Sequence, residues 1–238
     1  MGVFLWRYLP LKNPFLRLNK KEWVLYLTSL TVVIASNFFA KEINVINLFA
    51  TALGVTALIF IAKGDVFGQV LCLIFATLYS ITSFQHRYYS EIITYLGMTA
   101  PISVASIVTW IKNPVEKGKN VVKIRKFTLK EFTITTFLTA IVTFAFYCVL
   151  KYLNTPNLAV STTSIATSFL ASFMMLRRIS YYAVGFALND IVLIVLWSIA
   201  SVKDLTCLSM VACFSMFLLN DLYGFTRWKK REKEQGVR

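Results

Sequence analysis

Two adjacent polar residues, Asn189 and Asp190, lie in the middle of the apolar run YAVGFALNDIVLIVLWSI, residues 182–199, which has no other charged residue. Asp190 is seven residues before Trp197 and Asn189 is seven residues after Tyr182, so on a helix each polar side chain shares a face with an aromatic ring. A carboxylate at membrane depth is costly unless it faces a partner or a cavity. The alternative is that either residue joins two helices through an interhelical hydrogen bond.

A second apolar run carries side chains of the same kinds. Gln69 begins a narrow stripe of small or polar residues at helical spacing, and Tyr79 lies beside that stripe. Close helix packing would also explain the stripe, although Gln69 is too large and polar for packing alone. Glu91 opens the following run, where it acts either at the entrance of a solute path or as a cap at the helix N-terminus.

The last apolar run contains a second Asn-Asp pair, Asn220 and Asp221. On a helix Asn220 shares a face with Tyr223, which makes both candidates for contact with a solute. Asp221 is nearer the basic end of the run, and this position predicts that it pairs with Arg227 or Lys230.

Together these side chains suit a nucleoside-sized solute. Amides and carboxylates hydrogen-bond sugar hydroxyls and ring substituents, and aromatic faces stack on flat heterocycles. A phosphorylated solute fits poorly, because no lysine or arginine lies at membrane depth to clamp a phosphate. The candidate substrate-binding residues are Gln69, Tyr79, Tyr182, Asn189, Asp190, Trp197, Asn220 and Tyr223, with Glu91 at the entrance or as a cap.

The elements that position these residues follow from the hydropathy. The mean hydropathy is +0.65 and 57% of the residues are apolar, values typical of a polytopic membrane protein. In lipid such runs form helices, because the bilayer core offers no water to backbone groups. The sequence therefore predicts an all-α fold with eight transmembrane helices. They cover approximately 22–40, 44–62, 66–84, 88–111, 131–152, 157–175, 179–200 and 205–227.

The net charge of +14 would suggest nucleic acid for a soluble chain, but the positions of the basic residues exclude that interpretation. They concentrate before the first run, between the fourth and fifth, and after the eighth. Eight crossings place those clusters on one side, and the positive-inside rule assigns that side and both termini to the cytoplasm. We expect a multi-pass protein of the bacterial inner membrane, with the lipid bilayer and not a nucleic acid as its partner.

Nothing in the sequence indicates an enzyme, a cofactor or a metal site. The four cysteines are scattered through apolar runs without a CxxC motif, and there is one histidine, predicted in an outer loop. Neither HExxH nor GxSxG occurs. The first 21 residues contain prolines and basic residues and read as an interfacial segment, not as a signal peptide. A purely structural role is the remaining alternative.

The chain also resembles itself. Tyr79-Ser80-Ile81 matches Trp197-Ser198-Ile199, and Trp110 matches Trp228 at the same offset. This predicts an extra helix, 22–43, before two parallel triple-helix bundles, 44–112 and 157–228. A basic loop and linking helix, 113–156, connects the bundles, and 229–238 is a basic tail. Transporters with parallel repeats bind substrate near the midplane, between the repeats.

Four motifs in this order resemble the PnuC family of bacterial vitamin transporters over about residues 20–230. They are FQHRYYSE at 84–91, Trp110-Ile111-Lys112, Asn189-Asp190 followed by Leu196-Trp197, and Leu222-Tyr223-Gly224 followed by Trp228-Lys229-Lys230. Where the nicotinamide riboside carriers of this family have tryptophans in the seventh helix, this sequence has Tyr181, Tyr182 and Phe186.

The resemblance implies a fold like that of the SWEET sugar transporters, with a 3+1+3 arrangement after the extra helix, and possible assembly as a homotrimer. It also implies facilitated diffusion of nicotinamide riboside, followed by trapping through a cytoplasmic kinase that phosphorylates the substrate, as a step towards NAD. Two alternatives stay open. In the first, a related carrier transports a deoxynucleoside or thiamine instead. In the second, uptake is coupled to protons through Asp190.

Overall fold

The computed structural model describes residues 13–38, 45–85, 89–116, 120–155 and 157–237. Eight long helices account for most of these residues. They are α1 (Lys20–Asn37), α2 (Val45–Ala62), α3 (Val66–Gln85), α4 (the consecutive segments Tyr89–Ile92, Ile93–Thr99 and Ala100–Lys112), α5 (Leu129–Tyr152), α6 (Leu158–Leu176), α7 (Tyr182–Ser201) and α8 (Leu208–Glu234). The bounds agree with the predicted runs within three residues, except that α8 extends to Glu234, seven residues beyond the predicted end. The predicted outer-loop histidine, His86, lies outside the described residues.

Local sequence signals explain where two of the helices begin. Asn19 and Glu22 form a capping box, in which each side chain accepts a hydrogen bond from the other residue's backbone amide, so α1 begins at Lys20. At the start of α5, the Thr128 hydroxyl accepts a hydrogen bond from the Glu131 amide at 3.3 Å.

The middle of α4 departs from regular α-helix. The segment Ile93–Thr99 is a π-helix, in which the amide of Ala100 donates to the carbonyl of Tyr95, five residues back. Pro101 follows directly and has no amide hydrogen to continue the ladder. An irregular turn thus lies directly N-terminal to Pro101, and such turns frequently mark functional sites.

Seven of the eight helices are long and apolar enough to cross a membrane, all except α1. The first turn of α1 contains Lys20, Lys21 and Glu22, and these three charges keep its 18 residues from meeting the same criterion. The prediction of an all-helical, multi-pass membrane protein is confirmed. In the described part of the chain, extended pairing is limited to two isolated bridges in loops.

The helices pack in two groups of three. α2 packs against α3 and α3 against α4, while α6 packs against α7 and α7 against α8. The groups meet through α2 with α8 and α4 with α6. Helix α1 lies against α2 and α8, and α5 packs on α6 with most of its surface exposed.

Both described chain ends and three loops meet at one end of the molecule, called here the basic end. Arg231 donates to the carbonyls of Lys63 (2.9 Å) and Val122 (2.7 Å), which ties α8 to the α2–α3 and α4–α5 loops. Arg17 pairs with Asp65, whose pKa is raised by burial even with that cation beside it. The other end of the bundle is called the opposite end. Helix direction therefore alternates from α1 to α8.

Candidate functional site

A small cavity lies at mid-depth between the two helix groups. Its volume is about 50 Å³, and every one of α2, α3, α4, α6, α7 and α8 contributes to its wall. Neither α1 nor α5 supplies a lining residue. Since one water molecule occupies about 30 Å³ in the liquid, a nucleoside does not fit this space without movement of the walls. The polar lining comes from Thr99, Ser168, Asn189, Asp190 and Asp221.

Asn189 is buried and held in place from α6. Its side-chain oxygen accepts hydrogen bonds from the hydroxyls of Thr167 at 2.9 Å and Ser164 at 3.4 Å. With the oxygen engaged in this way, the amide NH₂ is the group left to donate to a ligand in the cavity. Asn189 therefore lies at the cavity wall and also forms the interhelical hydrogen bonds named as the alternative role.

Asp190 faces a second carboxyl, that of Asp221 on α8. Both side chains line the cavity, both are buried, and the two carboxyl groups lie within hydrogen-bonding reach of each other. The Oδ2 atom of Asp190 has no hydrogen-bond partner. The carboxyl pair at the cavity wall therefore has an oxygen that can accept a hydrogen bond from a ligand.

The prediction that Asp221 pairs with Arg227 or Lys230 is wrong. Arg227 pairs with Glu22 at 3.5 Å, and Lys230 with Glu234 at 3.8 Å. The reason is helical phase. Asp221 shares the inward face of α8 with Phe217, one turn earlier, whereas a residue six positions later points about 120° away.

An aromatic layer covers the cavity towards the opposite end. The indole of Trp197 donates to the Tyr79 hydroxyl at 2.9 Å, and that hydroxyl donates to Glu91 at 3.5 Å. The ring centroids of Tyr79 and Tyr95 are 4.3 Å apart, and Tyr95 itself lines the cavity. Trp197, Tyr79 and Glu91 are fully buried, so Glu91 lies inside the layer and not at an open entrance.

A second aromatic layer covers the cavity towards the basic end. The rings of Trp110 and Trp228 are 5.6 Å apart, and Tyr182 packs edge-on against Trp228 at 4.7 Å. Tyr182 is fully buried here, and its hydroxyl donates to the Ile61 carbonyl at 3.5 Å. The residue belongs to this layer and does not line the cavity.

Gln69 lies directly behind the cavity wall. Its amide donates to the sulfur of Met175, a lining residue, at 3.1 Å, and its side-chain oxygen is buried without a partner. A change in the Met175 side chain would therefore bring Gln69 to the cavity.

Two further candidates lie away from the cavity. Asn220 donates to the Ser29 hydroxyl of α1 at 3.0 Å, so it faces α1. The Tyr223 hydroxyl donates to Glu22 at 3.1 Å, within a group of charged residues at the basic end. Their positions differ from the solute contact expected from the sequence.

The sequence interpretation missed Asp221 and the aromatic walls formed by Phe75, Tyr95 and Phe217. A signal for Asp221 was present, because it stands seven residues before Trp228 just as Asp190 stands seven before Trp197. On a helix, a spacing of seven residues places each carboxyl on the same face as its tryptophan. Among the described residues, no group of three or more His, Cys, Asp or Glu side chains is arranged to hold a metal ion.

Comparison with known proteins agrees with this arrangement. A sequence profile described as "Nicotinamide mononucleotide transporter" matches residues 44–230. A relative described as "Nicotinamide riboside transporter PnuC", from Neisseria mucosa, is 23% identical over 189 residues, which cover 77% of this chain and 72% of the relative.

A solved structure described as "Crystal structure of the Vitamin B3 transporter PnuC" has the same fold. The TM-score is 0.81 at 21% identity, over 92% of this chain and 94% of that chain. The family profile includes residues from all six helices that line the cavity. Because that match spans well over half of the sequence, the chain belongs to the nicotinamide mononucleotide transporter family, the family of the PnuC transporters.

Proposed function

We propose that this protein carries nicotinamide riboside across the bacterial inner membrane. The observation that carries the proposal is the mid-depth cavity, whose wall combines the Asn189 amide with the Asp190–Asp221 carboxyl pair between two aromatic layers. The amide and carboxyls offer partners for ribose hydroxyls and the carboxamide, and Tyr95 and Phe186 offer flat surfaces for the ring. The relative from Neisseria mucosa bears the name of that substrate.

The cavity chemistry favours the nucleoside over its 5′-phosphate, although the family description names the mononucleotide. The described lining residues include no lysine or arginine, and the carboxyl pair would repel a phosphate dianion. A deoxynucleoside or thiamine remains the alternative substrate, because neither requires a phosphate clamp.

We propose that the two helix groups are parallel repeats that move against each other around the cavity. Residues matched by the internal repeat contact each other across the groups, namely Tyr79 with Trp197 and Trp110 with Trp228. The indole of Trp228 donates to the Ile61 carbonyl near the end of α2, and the indole of Trp110 donates to the Met175 carbonyl near the end of α6. This reciprocal bonding supports a two-fold relation along the membrane normal, as in a SWEET-like fold.

Opening requires a hinge, and we assign it to α4. The π-helical segment Ile93–Thr99 and Pro101 have fewer regular hydrogen bonds to lose than an unbroken helix. Tyr95 and Thr99 in that segment line the cavity, so movement at this point alters the wall directly.

The remaining parts of the proposal concern topology and energetics. We propose eight crossings with α1 included, both termini in the cytoplasm, assembly as a homotrimer, and the segment boundaries predicted from the repeat. The charge distribution at the basic end supports the orientation. Transport is facilitated diffusion, and a cytoplasmic kinase traps the substrate by phosphorylation.

The first test is titration calorimetry of the purified protein with nicotinamide riboside, its mononucleotide, deoxyadenosine and thiamine. We expect binding of the riboside only. Asn189→Ala should weaken binding by about tenfold or more, because the amide donor is lost from the cavity wall. Asn220→Ala is the matched control and should leave the affinity unchanged, since Asn220 faces α1. Binding of thiamine or deoxyadenosine instead would replace the substrate, and loss of binding in both variants would contradict the proposed site.

The mechanism is tested by uptake into proteoliposomes. Facilitated diffusion predicts that labelled riboside reaches the outside concentration and no higher, with or without an ionophore. An enclosed riboside kinase with ATP should then produce accumulation. Accumulation without the kinase that an ionophore abolishes would instead establish proton coupling.

A further inference from the structure

The Asp190–Asp221 pair places two buried carboxyls side by side at the cavity wall. The two groups lie in adjacent helices, both line the cavity, and their carboxyls are within hydrogen-bonding reach of each other. No ion pair within 4 Å joins either one to a lysine or arginine among the described residues, whereas Glu22, Asp65, Glu131, Glu232 and Glu234 all have such a partner.

Among the described residues, none of the helices packed around the pair places a positive charge beside it. The titratable groups that face it are Cys72 on α3, Tyr95 on α4, Tyr182 on α7 and Cys213 on α8. Thiols and phenols are neutral near pH 7 and become anions when they titrate. The cavity residues of α2 and α6 are apolar apart from Ser168 and have no titratable side chain.

Two carboxylates this close in a medium of low dielectric cannot both be ionised without a compensating cation, so they share a proton. The proton also explains their contact, since one carboxyl must donate for the pair to hydrogen-bond. A cation that enters the cavity changes this balance. It stabilises the more negative form of the pair and favours release of the shared proton to solvent.

Nicotinamide riboside carries such a charge, because its pyridine nitrogen is bonded to ribose and is permanently cationic. We propose that the Asp190–Asp221 pair recognises the positive charge of the substrate and releases a proton to solvent when the cation binds. The proposal rests on the proposed transport of nicotinamide riboside and adds a basis for specificity. Uncharged nucleosides gain hydrogen bonds from the pair but no charge attraction, and phosphorylated ones are repelled.

The linkage has a definite sign. If binding releases a proton, then affinity rises with pH over the range in which the pair still holds that proton in the absence of substrate. The limit is roughly tenfold tighter binding per pH unit for one proton released. A neutral ligand of the same shape should show no such dependence. The reduced riboside, with a dihydropyridine ring, is that ligand.

The test is titration calorimetry of the full-length protein in phosphate and in Tris, buffers whose ionisation enthalpies differ widely. The difference in observed heat gives the number of protons released per substrate bound. We expect close to one proton for the oxidised riboside and none for the reduced form. Asp221→Asn and, separately, Asp190→Asn should abolish the proton release. Glu234→Gln, a carboxyl-to-amide change at the exposed end of α8, should leave it intact.

The possible results distinguish proton release, charge recognition and the proposed transport function. Binding of the cation with heat that is the same in both buffers would overturn the proton release while leaving the transport proposal in place, and the pair would be an interhelical hydrogen bond only. Equal affinity for the oxidised and reduced ribosides would overturn charge recognition. Absence of any binding by the wild-type protein would overturn the proposed function and this inference with it.

Discussion

Two buried acidic sites in this protein differ in how their carboxyl oxygens are satisfied. At the basic end, Glu22 accepts hydrogen bonds from Lys63 at 2.6 Å, from the Tyr223 hydroxyl at 3.1 Å and from the Asn19 amide at 2.9 Å. At mid-depth, Asp190 faces another carboxyl, and one of its oxygens has no partner. Both side chains are almost completely buried, so burial alone does not separate structural from ligand-binding acids.

The difference lies in the partners. A buried charge whose acceptor sites are filled holds elements together, and Glu22 joins α1 to the α2–α3 loop and to α8 through Tyr223. A buried acid without compensation costs stability and is retained where something else compensates it. Under the proposed function the compensating group is the substrate, which is present only part of the time.

The largest effect expected from this comparison is on stability. Glu22→Gln should lower the free energy of unfolding by about 3 kcal/mol, because Lys63 is then left partly buried without its counter-charge. Asp221→Asn should change it by no more than about 1 kcal/mol, since the new amide can donate to Asp190. Unfolding by denaturant in one detergent measures both. Equal losses would show that the carboxyl pair is as structural as Glu22.

Two glycines extend the comparison to packing. A Cβ at Gly68 would lie 2.6 Å from the Ile61 amide nitrogen and 2.9 Å from the Ala57 carbonyl oxygen, in the tight contact between α2 and α3. Because backbone atoms cannot move aside as a side chain does, Gly68→Ala should cost about 2 kcal/mol of stability.

The matched change is at Gly54, where a Cβ would overlap the far end of the Phe217 ring at the cavity wall. That ring can rotate into the cavity, so Gly54→Ala should weaken riboside binding by about tenfold with a smaller loss of stability. Thermal unfolding and calorimetry of the two variants separate the effects. A larger loss of stability for Gly54→Ala than for Gly68→Ala would contradict this expectation.

The smallest expected effect concerns the aromatic layer at the opposite end. Trp197→Phe removes the indole donor to Tyr79 and should weaken that layer by about 1 kcal/mol. If the layer is a gate and not part of the binding surface, the rate of substrate exchange in proteoliposomes changes while the affinity stays the same. Trp110→Phe, which loses the bond to the Met175 carbonyl, is the corresponding change in the other layer.

The sequence predicted the helices closely because one physical variable decides them. A run long enough to cross the bilayer must be helical, and the end of each run is marked by charges or by a cap such as Asn19. The inward position of Asn189 and Asp190 followed from the cost of exposing them to lipid. Asn220 is also turned away from lipid, but it faces α1 and not the cavity. A hydroxyl on any neighbouring helix, here that of Ser29, can accept its hydrogen bond.

What the sequence by itself determined is the class of protein, the approximate bounds of its helices and the existence of a polar site in the apolar interior. These features depend on hydropathy and charge, which are set by the order of residues and can be read from the sequence alone. Only the tertiary structure decided that Asp221 meets Asp190 and that Tyr223 and Glu22 belong to a separate cluster. Those contacts depend on how helices are rotated about their axes, and many rotations bury the same apolar residues equally well. The two carboxyls meet in one rotation of α8 relative to α7, and the structure has that rotation.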